Sequence, residues 1–110
     1  MEDRMIQLLR GTLHALILRT LAGGPLHGYA IASRIESVAE GELVLEDGAL
    51  YQALHRMEER GWLDSDWGHA ENGKRARFYR LTPKGRRQLA METEQWARFA
   101  AGVSKVLLPA

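Results

Sequence analysis

The 110-residue chain contains no cysteine. That removes disulfides, thiolate zinc sites and a cysteine nucleophile in one step. It has no apolar run near the ~20 residues needed to cross a bilayer. Its opening, MEDRMIQLLRG, carries charge early, and no small-residue cleavage site follows its short apolar run. We read that opening as a helix rather than a secretion signal. There is no His-Glu-x-x-His pair, no Gly-x-Ser-x-Gly and no glycine-rich phosphate loop. Acids and histidines are scattered, with His14 and His69 isolated, and no nucleophile has a base beside it. Repeats, low-complexity tracts and linkers are absent too. These absences describe one compact, soluble, cytoplasmic domain that is not an enzyme and holds no metal or cofactor. At this length the core is modest, so a second copy of the chain is a natural source of further burial.

Net charge is also nearly absent, at +1, but its distribution is uneven. From Glu36 to Asp47 there are five acids and no base, whereas from Lys74 to Arg87 there are seven bases and no acid. The basic block suits a polyanion, or is simply a solvated face.

Periodicity supplies the elements. Residues 4–22 read as a helix, with Leu9, Leu13, Leu16 and Ile17 on one buried face and Gly23-Gly24-Pro25 ending it. Residues 27–38 read as a second helix. In the connector that follows, Leu43-Val44-Leu45 is a candidate short strand. A third helix over 47–60 turns Leu50, Leu54 and Met57 inward and ends at Gly61. The period then changes: 62–67 and 76–81 alternate as strands, joined through Asn72-Gly73, a strong hairpin signal because both residues tolerate positive φ. Thr82 and Pro83 open a last helix as N-cap and first helical residue. On it Leu89, Trp96 and Val103 are spaced by seven, as are Thr93, Ala100 and Leu107, forming a seam for another helix. The fold class is therefore mainly α with a β-hairpin wing: a winged helix-turn-helix over 1–82 plus a C-terminal dimerisation helix over 83–110.

On the third helix Gln52, His55, Arg56 and Glu59 face outward and Tyr51 stands at the border. Glutamine can pair with adenine, arginine with guanine, and a tyrosine hydroxyl with phosphate. On this segment alone the face reads first as a solvated surface, which the acids Glu46, Asp47, Glu58 and Glu59 support because they would repel phosphate; any contact falls to the helix's middle and one side. The wing brings Lys74, Arg75 and Arg77 to a projecting turn, where cations straddle phosphates or enter the minor groove. His27, at the start of the second helix, either touches phosphate or caps the helix. Trp96, with Phe99 nearby, fills an interface or forms a platform for a small hydrophobic or aromatic ligand.

Three runs carry a resemblance: GTLHALILRTLAGGPLHGYAIASRI, GALYQALHRMEERGWLDSDW and NGKRARFYRLTPKGRRQL. Together they strongly resemble the PadR-like transcriptional regulators, from about Leu9 to Leu89. The resemblance implies a homodimeric repressor on a pseudo-palindromic double-stranded operator. Residues 47–60 would be its recognition helix and 68–76 its wing tip. It implies DNA contacts at Tyr51 and the residues near it, Gln52, His55 and Arg56, and at Lys74 and Arg75 on the wing; His27, Tyr29 and Arg77 complete the candidate DNA-binding set. It implies a dimer seam through Leu89, Trp96, Phe99, Val103 and Leu107, joined by Leu9 and Leu13 of the first helix. Members of the family commonly respond to phenolic acids or drugs, which implies a ligand role for Trp96 and Phe99. Two positions depart from the pattern: Ala49, often serine or threonine, and Gln52, often proline. The chain resembles the family's short-tailed branch. Two rival readings share the same elements, a ligand-responsive sensor and a winged-helix module that binds protein instead of DNA.

Overall fold

The computed structural model describes residues 2–108, with side chains from residue 12 onward. Four helices surround a small antiparallel sheet in the order α1 (Glu2–Leu21), β1 (Leu26–His27), α2 (Gly28–Val38), α3 (Asp47–Glu59), β2 (Leu63–His69), β3 (Arg75–Leu81) and α4 (Pro83–Leu107). The core forms where the apolar stripes meet. Ile17, Leu18 and Leu21 of α1, Ile31 of α2, Leu50, Leu54 and Met57 of α3 and Leu63 of β2 are sealed from water. Burying each such side chain contributes roughly 1.5–3 kcal/mol before ordering costs are counted.

Helix ends follow from local chemistry. His27 caps α2, its Nδ1 accepting from the Ala30 N–H at 3.2 Å. α3 ends where Gly61 takes a positive φ of 78°. There the Gly61 N–H donates to Glu58 O and the Trp62 N–H to Met57 O, both at 3.0 Å, satisfying two end carbonyls. Thr82 caps α4, accepting from Gly85 N–H at 3.0 Å.

Two expectations are corrected. The sheet has three strands in the order β1-β3-β2, and its third strand is Leu26–His27. Leu26 pairs with Tyr79 and His27 with Phe78, so His27 ends a strand as well as capping a helix. Leu43–Leu45 does not pair as a strand; Leu45 turns into the core and its N–H donates to Glu36 Oε2 at 3.1 Å. The second correction is the wing turn. Only Gly73, at φ 81°, has a positive φ, and the turn is closed by Gly73 N–H to Ala70 O at 2.9 Å and Ala70 N–H to Lys74 O at 2.8 Å. This is a three-residue loop rather than a two-residue Asn-Gly turn. It sets the register Trp67↔Arg77 and His69↔Arg75.

Candidate nucleic-acid interface

The core fixes which way α3 faces. With Leu50, Ala53, Leu54 and Met57 buried, the opposite side at about 100° per residue is the column Gly48, Gln52, His55 and Glu59. All four are exposed. Of the four residues singled out on this helix, Gln52 and His55 therefore stand outermost. His55 Nε2 lies 3.7 Å from Glu59 Oε1 one turn on, both side chains exposed. Arg56 lies on the flank toward α1. It lines a cleft of about 150 Å³ with Leu13, His14, Ala49, Gln52 and Ala53.

Tyr51 lies on the other flank, against the start of α2. Gly28 permits this: a Cβ there would come within 2.7 Å of Tyr51 Cε1 and 2.8 Å of its hydroxyl. The phenol of α3 thus lies across the N-terminal turn of α2, where free N–H groups and the helix dipole favour an anion. His27 and Tyr29 belong to the same corner, with ring centroids 6.5 Å apart and nearly parallel planes. Because His27 Nδ1 accepts the cap bond, the neutral ring carries its proton on Nε2. Sequence reading left phosphate contact and capping open for His27; capping is present, and the Nε2 donor is left over.

The wing is tied to α3. Ser65 Oγ donates to Glu58 Oε2 at 2.6 Å, Arg77 Nε donates to Ser65 Oγ at 2.7 Å, and Arg77 Nη2 lies 3.3 Å from the same carboxylate oxygen. Tyr79 closes this seam from the core side. Burial pushes its hydroxyl above the ordinary tyrosine value; Arg77 pulls it back, while Glu58 and Tyr51 add to the rise. On the outer face of the hairpin Arg80 pairs with Asp66 at 2.8 Å. Of the basic block, Arg77 and Arg80 are therefore neutralised locally. Lys74, Arg75, Lys84, Arg86 and Arg87 are exposed and make no ion pair among the described residues.

A family model described as "Transcriptional regulator PadR-like family" matches residues 17–91. That span runs from the core of α1 through α2, α3 and the hairpin into α4. The chain belongs to the PadR-like family of transcriptional regulators. It is similar to a PadR family transcriptional regulator from Eggerthella lenta, with 33% identity, a TM-score of 0.78 and coverage of 99% of this chain and 93% of that one. It is also similar to a transcriptional regulator from Clostridium thermocellum, with 30% identity, a TM-score of 0.84 and coverage of 92% and 98%. A 37.1 kDa protein of a Streptomyces fradiae transposon is 39% identical over 94 residues; the match takes in 86% of this chain and 26% of that protein. The family is one of DNA-binding transcriptional regulators rather than enzymes, and the chain has the winged-helix fold of its relatives. Among the described residues no helix is long and apolar enough to cross a membrane.

In this PadR-like chain α4 is about 37 Å long at ~1.5 Å per residue, and its second half carries an apolar stripe outside the core. Trp96 is 51% and Phe99 61% exposed, and Val103, Val106 and Leu107 continue the stripe. The Trp96 and Phe99 rings lie 6.0 Å apart. An open apolar groove of about 520 Å³ runs along Phe99, Val103, Val106 and Leu107. Two residues expected on the seam pack within the protomer. Leu13 is 3% exposed in the core, and the half-buried Leu89 packs against that core. Leu9 lies outside the described side chains.

Three features escaped the sequence reading: the Gly28–Tyr51 contact, the Glu58–Ser65–Arg77 tie and the joint around Trp62. At that joint the His14 ring meets Trp62 edge-on at 5.7 Å and the Arg60 guanidinium lies 5.1 Å from the indole centroid. Burial chiefly, then Arg60 and Arg56, hold His14 below its ordinary value. Apart from Arg60 over Trp62, these contacts join residues seven or more positions apart, so only the tertiary fold reveals them.

Proposed function

We propose that the chain is a homodimeric, sequence-specific DNA-binding repressor, with α3 in the major groove and the wing on the flanking backbone. The observation that carries this is the outward column Gln52–His55 beside a wing whose Lys74 and Arg75 are left uncancelled. Family membership supports it. In this reading Gln52 and His55 meet base edges, and Arg56 reaches them from the α1 flank. Tyr51, Tyr29 and His27 Nε2 hold phosphate at the start of α2. Lys74 and Arg75 hold it at the wing. Residues 1–82 form the reading unit and 83–110 the dimerisation helix. Pairing through Trp96, Phe99, Val103 and Leu107 covers an apolar stripe that a monomer would leave in water. Two α3 helices then address half-sites about one helical turn apart on a pseudo-palindrome.

Selection of bound sequences from a random duplex pool, followed by affinity measurements over a salt series, tests this reading. Enriched pseudo-palindromes with a steep log–log slope are expected. The Lys74→Ala/Arg75→Ala double variant should show a shallower slope. A dimer with no affinity for any duplex at low salt overturns the reading in favour of a protein-binding module.

A second reading is favoured by the exposed Trp96–Phe99 pair and the apolar groove beside it. The dimer seam would then receive a small hydrophobic or aromatic effector that alters operator affinity. Saturable Trp96 quenching by such compounds, lost in Trp96→Ala, is the expected result, and the absence of saturable quenching rejects it.

A further inference from the structure

The face of the hairpin that completes the core does not stop where the core stops. Leu63, Ser65, Trp67 and His69 share this face of β2, opposite Leu81, Tyr79, Arg77 and Arg75 of β3. Leu63 and Tyr79 are buried, and one step further out Trp67 emerges, 57% exposed. Two guanidinium groups cover its ring, Arg75 at 4.6 Å from the centroid and Arg77 at 5.9 Å.

The two arginines are not equivalent. Arg77 donates to Ser65 and Glu58 and so braces the wing against the C-terminal turn of α3. Arg75 makes no ion pair among the described residues, and the indole is the contact it keeps. A guanidinium stacked on a ring uses its π-face and leaves its planar edge of N–H donors free. That edge matches two oxygens of one phosphate.

We infer that Trp67 is a positioning residue for DNA binding: its indole is a shelf that presents the Arg75 edge to a backbone phosphate beside the α3 site. Arg77 sets the angle of the wing. This rests on the DNA-binding reading above. It divides the wing's cations by role, with Arg75 as the contact, Arg77 as the brace and Trp67 as the surface between them.

The experiment measures affinity against salt for a duplex recovered from the random pool, using wild type, Trp67→Ala, Trp67→Phe, Arg75→Ala, Arg75→Lys and the Trp67→Ala/Arg75→Ala double variant. Trp67→Ala should bind about three- to tenfold more weakly, the range of one exposed to partly desolvated cation–π contact. Trp67→Phe should recover most of that loss. Arg75→Lys keeps the charge without the planar stack and should match Trp67→Ala at a wild-type slope. Arg75→Ala should lower the slope by about 0.9 for each wing engaged. In the Arg75→Ala background, Trp67→Ala should cost nothing more. Additive losses, or a Trp67→Ala that binds like wild type, overturn the inference. If Trp67→Ala does not fold, Arg75→Lys decides: wild-type affinity there also overturns it. A wild-type chain without affinity for any duplex would instead strike the DNA-binding reading itself.

Discussion

Replacing Gly28 with alanine perturbs the candidate interface at one point, the half-exposed Tyr51, and leaves Gln52 and His55 untouched. The new Cβ would lie 2.7, 2.8 and 2.9 Å from Cε1, Oη and Cζ of Tyr51, where ordinary contact begins at 3.4 Å. The atoms in the way are the far end of a half-exposed side chain, so the ring yields and the backbone stays. A retreat of about 0.7 Å needs only a modest rotation about the Tyr51 side-chain bonds, well inside the ~30° that costs about 0.5–1.5 kcal/mol. Alanine in place of glycine at a helical position offsets that by up to about 1 kcal/mol. Stability should therefore change by less than about 1 kcal/mol, a melting shift of no more than roughly 4–8 °C.

DNA affinity should fall much more. A charge-assisted hydrogen bond from the Tyr51 hydroxyl to phosphate is worth about 1.5–3 kcal/mol, and a displaced hydroxyl loses most of it. The expected loss is roughly tenfold per half-site. Fluorescence anisotropy with a pool-selected duplex reads the affinity, and circular dichroism reads the melting. Tyr51→Phe should reproduce the affinity loss without moving the ring, and in a Tyr51→Ala background Gly28→Ala should have no effect. Unchanged affinity in Gly28→Ala would refute the role given to the Tyr51 position. A melting drop well beyond the stated range would show that the ring cannot yield and that the contact is structural.

Three further outcomes follow from the same geometry. Because His14 is held below 6.5, chiefly by burial, the unfolded chain binds its proton more readily than the folded one. Its contribution to stability is intact above pH 6.5 and lost as pH falls below it, so urea midpoints should drop on acidification and drop less in His14→Phe. Glu92 is held above its ordinary value by burial, against the pull of Gln88 and Arg60, and its Oε2 has no hydrogen-bond partner among the described residues. Stability is therefore lost as pH rises above the ordinary carboxylate value of 4.5, and Glu92→Gln should gain up to about 1 kcal/mol at pH 7 by chemical denaturation. Glu58→Ala removes a negative charge near the proposed DNA-facing side, which by charge alone should raise affinity. The tie from Glu58 to Arg77 and Ser65 predicts the reverse, and tighter operator binding by the variant would refute it.

The helices were legible because each has a one-sided apolar stripe, and their ends carry local signals such as Thr82-Pro83 and Gly61. Leu50, Leu54 and Met57 alone oriented α3 correctly, which put Gln52 and His55 outside. The wing's faces were harder to read. A two-residue turn centred on Asn72-Gly73 would have paired Trp67 with Phe78. The observed three-residue loop pairs Trp67 with Arg77 and sends Phe78 to the opposite face. One residue of slip in a strand exchanges every side chain between faces, so the tryptophan shelf was invisible until the turn was known. β1 was missed for a different reason: two residues are too few for any period, and only the partner strand makes them a strand.

The acids of α3 are what most opposed a DNA-reading helix on sequence grounds, and their placement removes much of the objection. Glu58 is turned off the outer column and bonded to Ser65 and Arg77, so its charge is balanced within the protein. Glu59 lies one turn beyond His55 and close to its ring, at the end of the helix that a groove-inserted N-terminal half leaves farthest from the bases. Glu46 and Asp47 sit at the first turn, where the helix dipole stabilises carboxylates. The charge that phosphate would meet first is then that of Lys74 and Arg75 on the wing, with neutral Gln52 at the middle of α3. In the proposed reading, affinity and base reading fall to different elements, and the Glu58–Arg77 tie is the contact that joins them.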